Sequence, residues 1–198
     1  MGHIFLCGIK HSGKTTIGKL LAQRLGRRWY DLDQEIEKKI KEPIRTFYRV
    51  SGQEAFQQLE VEVLKTIIGE ENLVISLGGG AADNDPLMKL IKKYGILVYL
   101  YVEEAHLLKR ILRGGIPPFL DENDVEGSFH RLYERRNRRY SKDCNHLIQL
   151  PFGQAKEANV ELVLDSLGLK EQTWVTTHSA IIFPSPPSAN LTDRLSGS

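Results

Sequence analysis

The chain has 198 residues, 41% of them hydrophobic and 26% charged, with a formal net charge of +2. That length can bury one sizeable core and is short for two full domains, and so small a net charge excludes a general binder of polyanions. Its two cysteines, Cys7 and Cys144, stand far apart and outside any metal-ligand spacing, which excludes a disulfide framework and a zinc site and fits a reducing cytoplasm.

No cationic leader precedes the first apolar stretch, and no apolar run approaches the roughly 18–20 residues of a membrane helix, so a soluble, cytoplasmic protein is expected. The runs at residues 4–7, 73–77 and 96–102 are continuously apolar, as strands buried on both faces of a sheet are. Segments of helical period lie between and after them, at 15–25, 54–68, 85–93 and 104–112. Strands alternating with helices predict an α/β fold, a three-layer doubly wound parallel sheet.

After the first strand, Gly8-Ile9-Lys10-His11-Ser12-Gly13-Lys14-Thr15 satisfies the spacing G-x-x-x-x-G-K-[ST] and opens the first helix. Strand and helix flanks favour a phosphate cradle over a bare glycine turn. The two glycines let the backbone curl so that successive N–H groups, from His11, Ser12, Gly13, Lys14, Thr15 and Thr16, point at the phosphates of ATP. Lys14 adds a full charge beside the positive end of the helix, and the Thr15 hydroxyl is a ligand for Mg²⁺. The side chains of Lys10 and His11 are either extra phosphate contacts or idle on a solvated loop, and Cys7 reads as core.

Residues 29–33, Trp-Tyr-Asp-Leu-Asp, read as a strand ending in two carboxylates on one side of its C-terminal edge. One of Asp31 and Asp33 can hold the Mg²⁺ hydration shell while the other takes a proton from an attacking hydroxyl. The alternative is a pair of solvated acids capping the next helix. A charged helical stretch at 34–53 interrupts the regular alternation, and the Gly78-Gly79-Gly80 turn after the third strand allows close backbone approach, to a substrate or simply within the fold. Residues 113–126, with Gly114-Gly115 and Pro117-Pro118, have the composition of a lid loop. Arg131, Arg135, Arg136, Arg138 and Arg139 follow on a short helix with little aromatic interleaving, so a solvated face is expected rather than a nucleic-acid site. The segment 183–198 is expected to be disordered, with Trp174 and residues 181–183 apolar enough to dock on the body or on another subunit.

These elements, in order, resemble the shikimate kinase family: the phosphate loop, Asp31-Leu32-Asp33 with Ile36-Glu37, Gly52-Gln53-Glu54-Ala55-Phe56 leading to Glu60, Ser76-Leu77-Gly78-Gly79-Gly80, and Arg136 four residues before Tyr140. The resemblance spans residues 1–167, implying a kinase domain with a substrate-binding insertion at 34–60 and a lid at 113–126, and leaves 168–198 as a tail. It implies that Asp31 helps bind Mg²⁺, that Asp33 contacts the acceptor hydroxyls as the base, and that Gly79 and Arg136 bind the substrate, Arg136 through its carboxylate. It also implies that Arg110 lies against the adenine, and that the reaction transfers the γ-phosphoryl of ATP to the 3-hydroxyl of shikimate. A monomer is expected.

Two positions depart from that pattern. The family carries an arginine directly after the phenylalanine of its G-E-x-x-F-R motif, where it binds the substrate carboxylate, and this chain has Gln57. The lid arginine of the family aligns with Pro117. Glutamine cannot replace a charge-assisted fork, so Arg113, Arg45 and Arg49 become candidates for the missing charge. Besides a shikimate kinase, two alternatives follow: a kinase for another acceptor, such as a gluconate-like sugar acid, and a silent nucleotide-binding module. Retention of Lys14, Thr15, Asp31 and Asp33 argues against the module.

Overall fold

The computed structural model describes residues 2–113, 116 and 120–170. Pro117, most of the glycine–proline part of the expected lid, and the expected disordered segment 183–198 with Trp174 and residues 181–183 lie outside the described residues.

The three apolar runs form β1 (His3–Cys7), β3 (Val74–Ser76) and β4 (Gly95–Tyr101). Side chains alternate across a strand, so Ile4 and Leu6 join one core cluster while Phe5 and Cys7 join the other, all four fully buried. With β2 (Trp29–Asp31) and β5 (His146–Gln149) they make a five-stranded sheet of order β2-β3-β1-β4-β5, and every pairing is parallel. One face is covered by α1 (Lys14–Leu25), α5 (Glu104–Leu112), the front of α6 (Val125–Asp143) and α7 (Lys156–Ser166), through Ile17, Leu21, Leu107, Phe129 and Val163. The other carries α2 (Leu32–Ile40), α3 (Ile44–Ile67) and α4 (Asp85–Tyr94), through Ile36, Leu64 and Ile91, with Tyr140 from the far end of α6. This is the expected three-layer parallel α/β architecture. The order reverses beside β1, so the loop after β1 opens where such sheets hold their ligands.

Two local expectations are corrected, and one break is added. Asp33 is not the last residue of a strand: β2 stops at Asp31, whose side chain accepts from the N–H of Gln34 and so caps α2, which places Asp33 in that helix's first turn. The arginine-rich helix is not short, running for 19 residues with Phe129, Tyr133 and Tyr140 buried along it. Gly52 has φ 79° and ψ −179° inside α3, which breaks it into two rods and separates the charged insertion from the apolar helix read at 54–68. That conformation is open to glycine and strained for other residues.

Candidate active site

The loop between β1 and α1 is wound by backbone geometry few residues tolerate. Gly8 and Gly13 have φ 155° and 98°, and His11 sits left-handed at φ 66°. A Cβ on Gly8 would lie 2.5 Å from Ser12 Oγ and 2.9 Å from the Leu100 carbonyl, so glycine alone fits. Gly13 is the N-cap of α1, so the loop delivers the positive end of the helix to its own concave side. Ser76 Oγ donates to the Lys14 carbonyl at 3.1 Å and accepts from Trp29 Nε1 at 3.0 Å, which pins the start of α1 to β3 and β2.

Lys14 Nζ curls over the loop and donates to the carbonyls of Gly8 (2.9 Å) and Ile9 (3.1 Å). Burial lowers its pKa to about 8, against the opposing pull of Asp33, Cys7 and Asp31. A buried cation held by neutral carbonyls is a site for an anion. Ser12 is buried, and among the described residues its Oγ has no hydrogen-bond partner. Polyphosphate oxygens match this combination of N–H groups, hydroxyl and ammonium.

The Thr15 hydroxyl donates to Asp31 Oδ2 at 2.8 Å. Hydroxyl and carboxylate oxygens are the hard donors Mg²⁺ prefers, and that ion is commonly held by one or two protein groups plus substrate phosphates. The described residues gather no group of three or more His, Cys, Asp or Glu able to hold a metal by themselves.

On the other side of the loop lies a cavity of about 260 Å³ lined by Ser12, Gly13, Thr16, Arg110, Pro151, Gln154 and Asn159, among others. Arg110 Nη1 donates to the His11 carbonyl at 3.2 Å, tying α5 to the cradle. The buried Oδ1 of Asn159 has no partner among the described residues. The His11 ring has its pKa lowered by burial and by Lys10, Lys14 and Arg110.

Facing the cradle across the end of β3 is a set of carboxylates. Asp33 lies so close to Gly78 that a Cβ there would sit 2.5 Å from Oδ1. Burial, then the charge of Asp31, raises the Asp33 pKa to about 6, with Lys14 pulling the other way. Tyr140 locks the glycine turn, accepting from the Ala82 N–H and donating to the Gly79 carbonyl, each at 3.2 Å. Arg136 Nη2 would lie 3.3 Å from a Cβ on Gly80, and Arg136 Nε donates to Asp83 Oδ2 at 3.2 Å.

His11, Ser12, Gly13, Lys14, Thr15, Thr16, Asp31, Asp33, Gly79, Arg110 and Arg136 therefore surround one continuous edge of the sheet. Arg45 and Arg49 are exposed on the first rod of α3 and Arg113 is exposed at the end of α5, none with a described contact to this edge. Arg131, Arg135, Arg136, Arg138 and Arg139 each pair with a carboxylate. Sequence reasoning missed Asp83 and Asn84, which follow the glycine turn and belong to no motif.

A family model described as "SKI: Shikimate kinase" matches residues 10–167. The shikimate kinase of Chlorobium luteolum is 40% identical over 147 residues, covering 70% of this chain and 73% of that protein. That of Nitrosomonas europaea is 30% identical over 178 residues, or 90% and 84% of the two chains. Among solved structures, shikimate kinase from Acinetobacter baumannii in complex with shikimate superimposes with a TM-score of 0.77 at 31% identity, covering 86% of this chain and 95% of that one. A gluconokinase from Sinorhizobium meliloti shares the fold at a TM-score of 0.57 and 14% identity, covering 87% and 93%.

Proposed function

This chain belongs to the shikimate kinase family, and from that premise we propose that residues 1–167 form one catalytic domain that phosphorylates the 3-hydroxyl of shikimate with ATP. The enzyme is an ATP-dependent phosphotransferase with an alcohol acceptor. The observation that carries the reading is the meeting of a phosphate cradle with a carboxylate base: Thr15 bonds Asp31 at 2.8 Å, and Asp33 stands two residues on, in the first turn of α2, against Gly78.

In this reading the N–H groups of residues 11–16 and Lys14 hold the β and γ phosphates of ATP, and Arg110 flanks the base in the adjoining cavity. Thr15 and Asp31 would hold Mg²⁺, which neutralises phosphate charge when bound. Residues of the 34–60 insertion and the glycine turn close the acceptor side, where Gly79 offers backbone contact and Arg136 meets the substrate carboxylate. Asp33 takes the proton from the acceptor hydroxyl. That oxygen bonds to the γ phosphorus as the bond from γ phosphorus to the β–γ bridging oxygen breaks, and ADP leaves with the electron pair. A base with a pKa near 6 is ionised at neutral pH and still basic enough to accept a proton as the bond forms. Residues 113–126 act as the lid that excludes water.

Among the described residues no helix is long and apolar enough to cross a membrane, and the reading places the enzyme in the cytoplasm as a monomer. The test is ADP release from the purified protein with ATP and Mg²⁺, alone, with shikimate, and with gluconate. Shikimate-dependent release is the expected result. Release with gluconate alone would move the acceptor to the sugar-acid class, and ATP binding without turnover under any condition would reduce the chain to a nucleotide-binding module.

A further inference from the structure

The acceptor end of the site has an arginine too few, and Gln57 stands where it is missing. The glutamine is not idle. Its Nε2 donates to the Asp83 carbonyl at 2.8 Å, while Asn84 Nδ2 donates to the Gln57 carbonyl at 2.9 Å and to Glu60 Oε2 at 2.8 Å. Three hydrogen bonds thus stitch one turn of α3 to the segment that follows the glycines, and the Asp83 N–H adds a bond to the Gly80 carbonyl at 2.9 Å. With its backbone fixed on both sides, Asp83 presents a largely buried carboxylate to α6, where Oδ2 receives Arg136 Nε and Arg135 Nη2, each at 3.2 Å.

A guanidinium has five donors in a rigid plane, so a partner on Nε fixes its orientation and leaves the far edge, Nη1 and Nη2, to bind something else. Nη2 of that edge lies 3.3 Å from where a Cβ on Gly80 would sit, beside the glycine turn at the acceptor side. We propose that Asp83, seated by Gln57, is a positioning residue that presents the Nη edge of Arg136 to the acceptor's carboxylate. The chain thereby compensates for a lost second cation by ordering the one it keeps. Holding an arginine in place before binding removes part of the rotamer entropy that a free side chain loses on binding. The charge of Asp83 does not cancel the field of Arg136, because Arg135 neutralises it from the solvent side. This inference rests on the acceptor assignment above and deepens it.

The test uses the full chain with Asp83→Asn and Gln57→Leu, measuring ADP release against shikimate and against the same ring bearing a hydroxymethyl group in place of the carboxylate. Asp83→Asn is expected to raise KM for shikimate about tenfold or more, with kcat and KM for ATP within about threefold of the parent, and to leave KM for the alcohol analogue unchanged. Gln57→Leu is expected to move the same constant in the same direction by a smaller factor. An unchanged or lowered KM for shikimate in Asp83→Asn would overturn the proposal, the second because Asp83 would then be competing with the substrate. An equal rise for both acceptors would also overturn it, since the role would be merely structural. A parent protein with no shikimate-dependent release would instead overturn the acceptor assignment, and this inference with it.

Discussion

At the scale of single residues, the site is a pair of ionisable groups pushed toward neutrality from opposite sides. Burial lowers Lys14 to about 8 and raises Asp33 to about 6. Lys14 must carry its proton to hold phosphate, and Asp33 must have lost its own to act as base. The profile of kcat/KM for ATP against pH is therefore expected to rise through about 6 and fall above about 8, and a profile flat on the acid side would exclude Asp33 as the base. Asp33→Asn should bind ATP with parental affinity, by calorimetry, while kcat drops by about 10²–10⁴. Lys14→Ala should lose binding and turnover together. The phosphate loop was legible in the sequence because its spacing is itself the mechanism. Asp83 was not, because its contacts with Gln57 and Arg136 span 26 and 53 positions and arise only once α3, the glycine turn and α6 pack together.

Elements differed in legibility for an equally physical reason. Strands β1, β3 and β4 are buried on both faces and so read as unbroken apolar runs. Strand β5 has four residues of which only Ile148 is buried, and α6 hides its three buried aromatics among arginines, so neither its length nor β5 stood out. The Asp31-Leu32-Asp33 segment was placed correctly at the sheet edge but assigned to one element too few, since Asp31 ends β2 and caps α2 in the same position. Two glycines separate backbone demands from side-chain demands. Gly52→Ala meets no neighbour within 4 Å, so its cost is backbone strain of about 1–3 kcal/mol, visible as a lower midpoint in urea. Gly78→Ala meets only the tip of Asp33, which can move aside. It should leave the midpoint nearly unchanged and, with Asp33 the proposed base, reduce kcat by about tenfold or more by displacing its carboxylate.

Across the whole molecule, the acidic side of the site trades stability for chemistry. Glu60 is almost fully buried and its pKa is raised to about 7, chiefly by burial, with the Asn84 bond opposing. Its folded-state pKa lies above the unfolded value, so the folded chain binds the extra proton, and the stability it contributes is complete below about 4.5 and is lost as pH rises through about 7. Glu60→Gln keeps an oxygen for Asn84 and removes the titration. Thermal melts of the two proteins should run close together near pH 4.5 and separate by pH 8, with the variant the more stable by on the order of 2 kcal/mol. Identical melts across that range would mean that Glu60 is not held neutral.

The strand order also governs when the parts can assemble. Among the described residues, strand β1 pairs only with β3 and β4, and β2 pairs only with β3. As the chain is synthesised, no two strands can pair until residues 74–76 have emerged, although the phosphate loop and both aspartates came long before. The nascent segment thus carries the residues of the site without the sheet that brings them together. Completion waits on β3, whose Ser76 ties α1 to β2, so the phosphate loop and the two aspartates are brought together by the same strand. A chain stalled before that point lacks the strand that joins the two parts of the site, and parallel pairings between strands so far apart in sequence belong to the class that forms slowly.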